Sequence, residues 1–424
     1  MDQLTIVLII LALTIIAFMS GKLPYTVISM GIIIALIMTG IMTIDEAFSG
    51  LTNSNVIMFA AMFVIGAGIV KSGLLDSTKN IVMRYQNRPK IVLLVLMLVA
   101  TVLSILTSAV GTMAILLPLI INIANNLNIS RSKFIYPVAM IANIATACTF
   151  LGQGAANMNW SDVMVNMGGP VPFGIWDFTI ARIPVIVTTI IYGVFVSQYL
   201  LPDIPNSQFD TGKPVVEKTK TIDVKKQRIA QIICSFTIIG MIVLDYFSLV
   251  PMYIVACIGA VLLILFGVLS EMEAISSIHG PTMFLFIGVL PLSDALKMTG
   301  AADVVASLMR TLLGNTTNPY IIMAGLFVVP LILTQVMSNI AAVAVFVPLV
   351  CSVAVSIGID PRAGVMAVLI ASCTSILTPM AAAAQAMILA PGGYSMKDYL
   401  KCGFPLVLIN TVVCIVVLPI LFPF

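Results

Sequence analysis

Of the 424 residues, 60% are apolar and 9% are charged, against about 25% charged residues in a soluble domain. With a mean hydropathy of +1.16, the chain is excluded from the water-soluble class. A net charge of +3 carries no message until it is sorted by side of a membrane, while one histidine and seven cysteines without a C-x-x-C pair suggest neither a metal cluster nor a disulfide framework.

Apolar runs near 20 residues, each long enough to cross a hydrocarbon core of about 30 Å, recur along the whole length. In the first half they predict spans at about 4–20, 24–43 and 55–71, a short polar-faced stretch at about 75–87, runs at 91–106 and 112–128, and spans at 135–156 and 176–200. The first span is read as a retained helix, because Asp2 replaces the positive start of a secretory signal and no small-residue cleavage site follows. A polar segment, 201–228, follows with six basic and four acidic residues plus Pro202, Pro205 and Pro214, the composition of a solvated linker. Second-half runs fall at about 229–247, 251–270, 281–300, 318–335, 341–357, 363–390 and 399–421.

The halves resemble each other. An offset of 227 superposes Pro24–Asp76 on Pro251–Asp303 without a gap, pairing Gly40 with Gly267, Glu46 with Glu273 and Phe59 with Phe286. An offset of 230 then pairs Pro89 with Pro319, Ser108 with Ser338 and Pro118 with Pro348. The expected architecture is therefore an all-α polytopic membrane protein of two repeats, 1–200 and 229–424, around a cytoplasmic linker at 201–228. Each repeat has about five crossings plus a re-entrant helical hairpin, at about 91–128 and 318–357. An odd number of crossings inverts the second repeat relative to the first, the usual build of secondary transporters.

Basic residues orient the chain, since cytoplasmic loops hold an excess of Lys and Arg. With both termini outside, sixteen basic residues fall inside and only Lys297, Arg310 and Arg362 outside, with Arg182 in a span. The chain is thus expected in the cell (inner) membrane. Full double crossings at the paired runs would give the same parity, so charge fixes orientation and leaves re-entry open.

Polar residues interrupt the apolar sequence at equivalent places. Ser104-Ile-Leu-Thr107-Ser108-Ala109-Val110-Gly111-Thr112 leads to Pro118, and Thr334-Gln335-Val-Met-Ser338-Asn339-Ile340 leads to Pro348. In each half the Ser precedes its Pro by ten residues and follows a hydroxyl residue by four. Hydroxyls and amides at a hairpin tip can hold a cation together with freed carbonyls, while helix N-termini present N–H groups to an anion.

These tips resemble the divalent anion/sodium symporters, the solute carrier 13 type within the ion transporter superfamily, which mark each tip with Ser-Asn-Thr followed at a fixed distance by Pro. Ser338-Asn339-Ile340 matches two of those letters, and Ser108-Ala109-Val110 matches one. Thr378-Pro379 and, more loosely, Gly152-Gln153-Gly154 to Asn157 are similar to the family's helix breaks, and Gly392–Pro405 looks like the start of its final span. The resemblance implies a homodimeric, elevator-type carrier of dicarboxylates, usually sodium-coupled. It implies substrate contacts at Ser108, Thr112, Asn157, Ser338, Asn339, Thr378 and Pro379. It implies sodium sites at Ser104 with Ser108 and at Thr334 with Asn339, with Na+ as coupling ion and no other cofactor. Ala109 stands where the family has a sodium-ligating Asn, and Val110 and Ile340 replace the motif Thr. Fewer coupled ions or sodium-independent exchange follow as alternatives.

Blander readings stand beside these. Ser and Thr hydrogen-bond within membrane helices without further role, and Gln153, Asn157 and Gln385 could serve only freed backbone groups at a break. Asp294 and Lys297 are spaced to pair. Asp245 and Arg182 lie near span ends, where Arg can snorkel to headgroups, and His279 sits in an expected loop. Basic clusters face anionic lipid; no nucleic-acid partner is expected.

The reading is a secondary active transporter of a small organic dianion, not an enzyme. Its rivals within transport are an inorganic-anion or arsenite carrier and a sodium/proton antiporter, for which only Asp294 approaches a titratable core group. A channel would need a continuous polar stripe, and an enzyme would need clustered His, Asp or Glu at membrane depth.

Overall fold

Inside lipid every backbone N–H and C=O must be satisfied within the protein, which favours helices for runs as apolar as these. A computed structural model describes residues 2–20, 22–72, 88–126, 129–204, 224–247, 249–278, 280–301, 304, 319–335, 338–356, 358–379 and 381–423. They are helical and contain no strand. The predicted stretch 75–87, His279 and most of the linker lie outside the described residues.

In the first half the helices are α1 (Gln3–Ser20), α2 (Tyr25–Met38), the short α3 (Ile44–Ala47) and α4 (Ser49–Thr52), α5 (Ser54–Lys71), α6 (Pro89–Leu106), α7 (Ala109–Asn126) and α8 (Ser132–Ala145). A 3-10 turn, Gly152–Ala155, leads into α9 (Ala156–Asn166), and α10 (Asp177–Phe195) and α11 (Ser197–Leu200) follow. The second half runs α12 (Val224–Tyr246), α13 (Met252–Leu265), α14 (Glu271–Ser277), α15 (Gly280–Met298), α16 (Pro319–Thr334), α17 (Asn339–Ser356), α18 (Arg362–Cys373), α19 (Ala383–Gly392) and α20 (Met396–Leu421). In both halves two helices lead to one or two short ones, then come a long helix, a pair of helices, a broken helix and a final long helix, with α11 an addition to the first half. Five of them, α5, α6, α10, α12 and α20, are by length and composition able to cross a membrane.

The span predicted at 135–156 is corrected. Its helix starts at Ser132, stops at Ala145, and resumes from Ala156 to Asn166. At the stop Ala147 takes a left-handed φ of +61° without being glycine, a strained conformation that persists only where surrounding contacts impose it. The run 363–390 is divided likewise, into α18 and α19.

Packing follows the polar interruptions. The pair α6 and α7 lies on α8, and the pair α16 and α17 on α18. The halves interlock, α2 on α15 and α5 on α13, and α10 crosses α20. Tyr394 enters the ladder of α8, accepting from the Tyr136 amide at 2.9 Å and donating to the Ser132 carbonyl. A buried tyrosine hydroxyl that finds such partners stitches two apolar surfaces together.

At the loops, Thr43 and Ser270 each accept from the amide three residues on, Glu46 or Glu273, whose carboxylate returns the bond. These capping boxes satisfy helix-end donors that no intrahelical acceptor reaches. Glu273 also accepts from Lys71 Nζ at 2.6 Å, across the halves. The Lys71 ammonium, helped by the Ser270 amide, holds the Glu273 carboxyl down to about 2 from its ordinary value near 4.5. A depressed carboxylate stabilises the fold above pH 4.5 and loses that contribution as pH falls toward 2. With the Glu273 side chain 49% exposed, screening limits the pair to about 0.5 kcal/mol. Glu273→Gln is therefore expected to lower the melting temperature of purified protein by about a degree or two at pH 7. The deficit should shrink below pH 4.5; a deficit constant from pH 7 to pH 3 would remove the ion pair as its cause.

Candidate functional site

A helix that stops inside a membrane frees carbonyls at its C-terminal end and N–H groups where the chain resumes. Here each break lies against the tip of a hairpin from its own half. Between α6 and α7 only Thr107 and Ser108 intervene. Ser104 donates to the Thr112 hydroxyl at 3.0 Å, Thr107 and Thr112 oxygens stand 3.4 Å apart, and Ser108 Oγ accepts from the Gly111 amide at 3.0 Å. The tip is thus a chain of hydroxyl oxygens above a capped helix start.

The first break presses onto this tip. Gly152 has a φ of +54°, and a Cβ there would stand 2.8–3.0 Å from the carbonyl oxygens of Thr107, Leu106 and Ile105. Only glycine permits that approach. Gly154 is tighter still, since a Cβ would lie 1.7 Å from the Thr149 carbonyl oxygen. Asn157 Nδ2 donates to the Ala147 carbonyl at 2.7 Å.

The second tip and break are joined by side chains. Thr334 donates to Asn339 Oδ1 at 2.8 Å. Gln335 Oε1 accepts from the Leu377 amide at 3.0 Å, and the Gln335 carbonyl accepts from the Thr378 hydroxyl at 2.8 Å. Asn143, on α8 of the first half, donates to the Cys373 carbonyl at 2.9 Å and to the Ser375 hydroxyl at 3.2 Å. The two broken helices are therefore connected to each other as well as to their hairpins.

Arg182 completes this connection and corrects the expectation that it snorkels. Its exposure is 2%. One guanidinium nitrogen donates to the Thr146 carbonyl at 2.8 Å and to Cys373 Sγ at 3.2 Å, and the other to the Leu369 carbonyl at 3.1 Å. An arginine at membrane depth costs roughly 2.5–3.5 kcal/mol on insertion scales, and the carbonyl-rich ends of α8 and α18 offset part of it. Among the described residues no carboxylate pairs with it; the ion pairs are Lys71–Glu273, Lys133–Asp203 and Arg362–Asp360. Asp294 and Lys297, spaced to pair, do not form a contact ion pair.

Most buried polar atoms in proteins are hydrogen-bonded, so exceptions call for a reason. Several exceptions belong to the broken helices and their neighbours: Thr146 Oγ1, Arg182 Nε, and both amide atoms of Asn159 and of Gln385. Asn159 and Gln385 are both fully buried, near the starts of α9 and α19. By contrast, a cavity of about 350 Å³ between α5 and α13 is lined by Ile57, Tyr253, Ile254, Cys257, Ile258, Val261 and Leu262 and offers an anion nothing polar beyond a tyrosine and a thiol.

The predicted residues divide accordingly. Thr334 with Asn339 are in contact, as are Ser104 and Thr112, while Ser108 caps α7 and Thr378 anchors the second break. Ser338 is exposed and Pro379 half-buried, and Asn157 serves a freed carbonyl. Sequence reasoning missed Asn143, Asn159 and the inward role of Arg182. The available signal was an amide or charge inside an apolar run, which is a site hypothesis by default.

The citrate transporter family (CitMHS) matches residues 15–374. The chain is 31% identical over 190 residues to the uncharacterized transporter YfbS of Escherichia coli, covering 45% of this chain and 31% of that one. It is 29% identical over 121 residues to the sodium-dependent low-affinity dicarboxylate transporter 1 of Caenorhabditis elegans, covering 28% and 20%. The chain thus spans about a third of the length of YfbS and less of the nematode protein. In fold it is similar to MtrF of Neisseria gonorrhoeae, described within a class of antimetabolite efflux pumps, with a TM-score of 0.61 at 12% identity over 99% of this chain and 95% of that one.

Proposed function

The chain belongs to the citrate transporter family, and on that premise we propose that it is a sodium-coupled secondary active transporter of a small organic dianion such as a C4-dicarboxylate. The observation that carries this reading is the docking of each hairpin tip on a helix break of its own half, through Gly152 on one side and Gln335 with Thr378 on the other. Two such tips would put hydroxyl and carbonyl oxygens for cations beside helix starts for an anion. The dicarboxylate and sodium named for the nematode relative support the same substrate class and coupling ion here.

Inverted repeats are part of the proposal. The capping boxes at Thr43–Glu46 and Ser270–Glu273 support them, as do the left-handed Gly40 and Gly267, at φ +67° and +66°. Phe59 meets its own counterpart Phe286 edge-on at 5.9 Å between ring centroids. Asn410 donates to Thr189 at 3.4 Å, a pair that matches when Asp177 is aligned with Asp398. A residue touches its counterpart next to a two-fold axis. Alternating access by an elevator motion within a homodimer completes the reading.

Uptake of labelled succinate into proteoliposomes tests it, with an inward sodium gradient, with equimolar potassium, and with succinate preloaded. Sodium-driven uptake is the expected result. Uptake only into preloaded vesicles would favour the exchanger suggested by Ala109 and Val110, and no uptake under any condition would reject succinate as substrate.

A further inference from the structure

Among the described residues Arg182 alone of the charged side chains is fully buried, its Nε has no hydrogen-bond partner, and no carboxylate pairs with it. Its place in the two halves is unequal. Aligning Asp177 with Asp398 sets Arg182 opposite Gly403, and aligning Ser108 with Ser338 sets Thr146 opposite Ile376. The Thr146 carbonyl is capped by the Arg182 guanidinium at 2.8 Å, whereas the Ile376 carbonyl is capped by the neutral Tyr136 hydroxyl at 2.7 Å. Gly403 leaves room for that hydroxyl, which a Cβ would approach to 2.9 Å. One half therefore carries a fixed positive charge where the other carries none.

The electrostatic consequence depends on helix direction. Both α8 and α18 reach their breaks by C-terminal ends, each equivalent to about half a negative charge. An anion between the breaks would be repelled by both. Arg182 contacts both helix ends, through the Thr146 carbonyl just past α8 and through Leu369 and Cys373 of α18.

We propose that Arg182 is a tethered cation that neutralises the ends of α8 and α18 and thereby sets the charge of the anion accepted between the breaks, favouring divalent over monovalent species. This inference rests on the anion-carrier reading above. Arg182 is a positioning residue acting through the helix ends. At a separation of about 10 Å and an effective dielectric constant of about 20, one unit of ligand charge changes affinity roughly tenfold.

The test measures inhibition of labelled succinate uptake at pH 7.5 by succinate, a dianion, and by monomethyl succinate, a monoanion, in proteoliposomes of the full chain. The readout is the ratio of the two inhibition constants. Arg182→Lys should keep the wild-type ratio within about threefold, and Arg182→Met should reduce it about tenfold. Cys373→Asp sets a carboxylate beside the guanidinium, 3.2 Å from which the Cys373 sulfur now stands, cancelling the charge without removing Arg182 or its bonds to Thr146 and Leu369. It should act like Arg182→Met even if that variant does not fold, while the neutral Cys373→Asn keeps the wild-type ratio. A wild-type ratio in Cys373→Asp, or equal loss of uptake in Cys373→Asp and Cys373→Asn, would overturn the inference and leave Arg182 a packing role. Absence of saturable succinate uptake by the wild-type protein would instead overturn the dicarboxylate reading on which it stands.

Discussion

Gly154→Ala is expected to abolish recovery of folded protein, read as loss of the monodisperse peak on size exclusion after detergent extraction. The added Cβ would stand 1.7 Å from the Thr149 carbonyl oxygen and 2.8 Å from its carbon, and both are backbone, so no side-chain rotation relieves the clash. Relief requires moving the segment from Ala147 to Ala155. That segment is pinned by Asn157 to the Ala147 carbonyl and by the Thr149 hydroxyl to the Leu151 amide, and Gly152 holds it to the end of α6. A substitution that displaces such a network belongs among the few costing more than about 4 kcal/mol. Gly31→Ala is the control, since a Cβ there meets nothing within 4 Å, and a helical alanine is favoured over glycine by about 0.5–1 kcal/mol. Equal yields of the two variants would mean that the first break is not packed as described.

Much of this arrangement was legible in the sequence, for identifiable reasons. Apolar runs and their breakers give helix positions directly, so α1, α5, α6 and α16 begin and end within about two residues of the runs that predicted them. The pairing of Glu46 with Glu273 was visible as spacing and corresponds to two capping boxes of the same form. Thr334 and Asn339, the last residue of α16 and the first of α17, which the resemblance pairs in one cation site, share a hydrogen bond.

What escaped is what depends on which side of a helix faces inward. A membrane helix that is apolar all round has no polar stripe to mark its inner face. Arg182, in the second turn of α10, could equally have reached outward to headgroups; only the packing of α10 between α8 and α20 turns it inward. The stop after Ala145 was hidden for a different reason. No proline or glycine stands there, and the visible signal, Gly152-Gln153-Gly154, lies where the chain turns back into helix. Asn159 went unremarked because one amide in a short mixed helix looks like surface, although it is fully buried.

On the proposed function, in which Asn339 would serve an ion, Asn339→Ala is expected to lower sodium-driven uptake by at least tenfold, because removing one partner of a charge-assisted contact costs about 1.5–3 kcal/mol. The loss alone would not say which ligand the amide serves. Thr334→Val separates the possibilities, since it removes the hydroxyl that donates to Asn339 Oδ1 at 2.8 Å and leaves the amide in place. If the pair holds a cation, Thr334→Val lacks one oxygen ligand, so the sodium concentration for half-maximal uptake rises severalfold while the rate at saturating sodium is largely kept. If Thr334 only orients the amide toward the anion, KM for succinate rises and the sodium dependence does not move. The double variant decides between coupled and separate roles, because residues sharing one ligand give less than additive losses. Full additivity, with sodium dependence unchanged in Thr334→Val, would remove this pair from the cation site and move the search to the hydroxyl chain of Ser104, Thr107 and Thr112, whose oxygens stand 3.0 and 3.4 Å apart in the other tip.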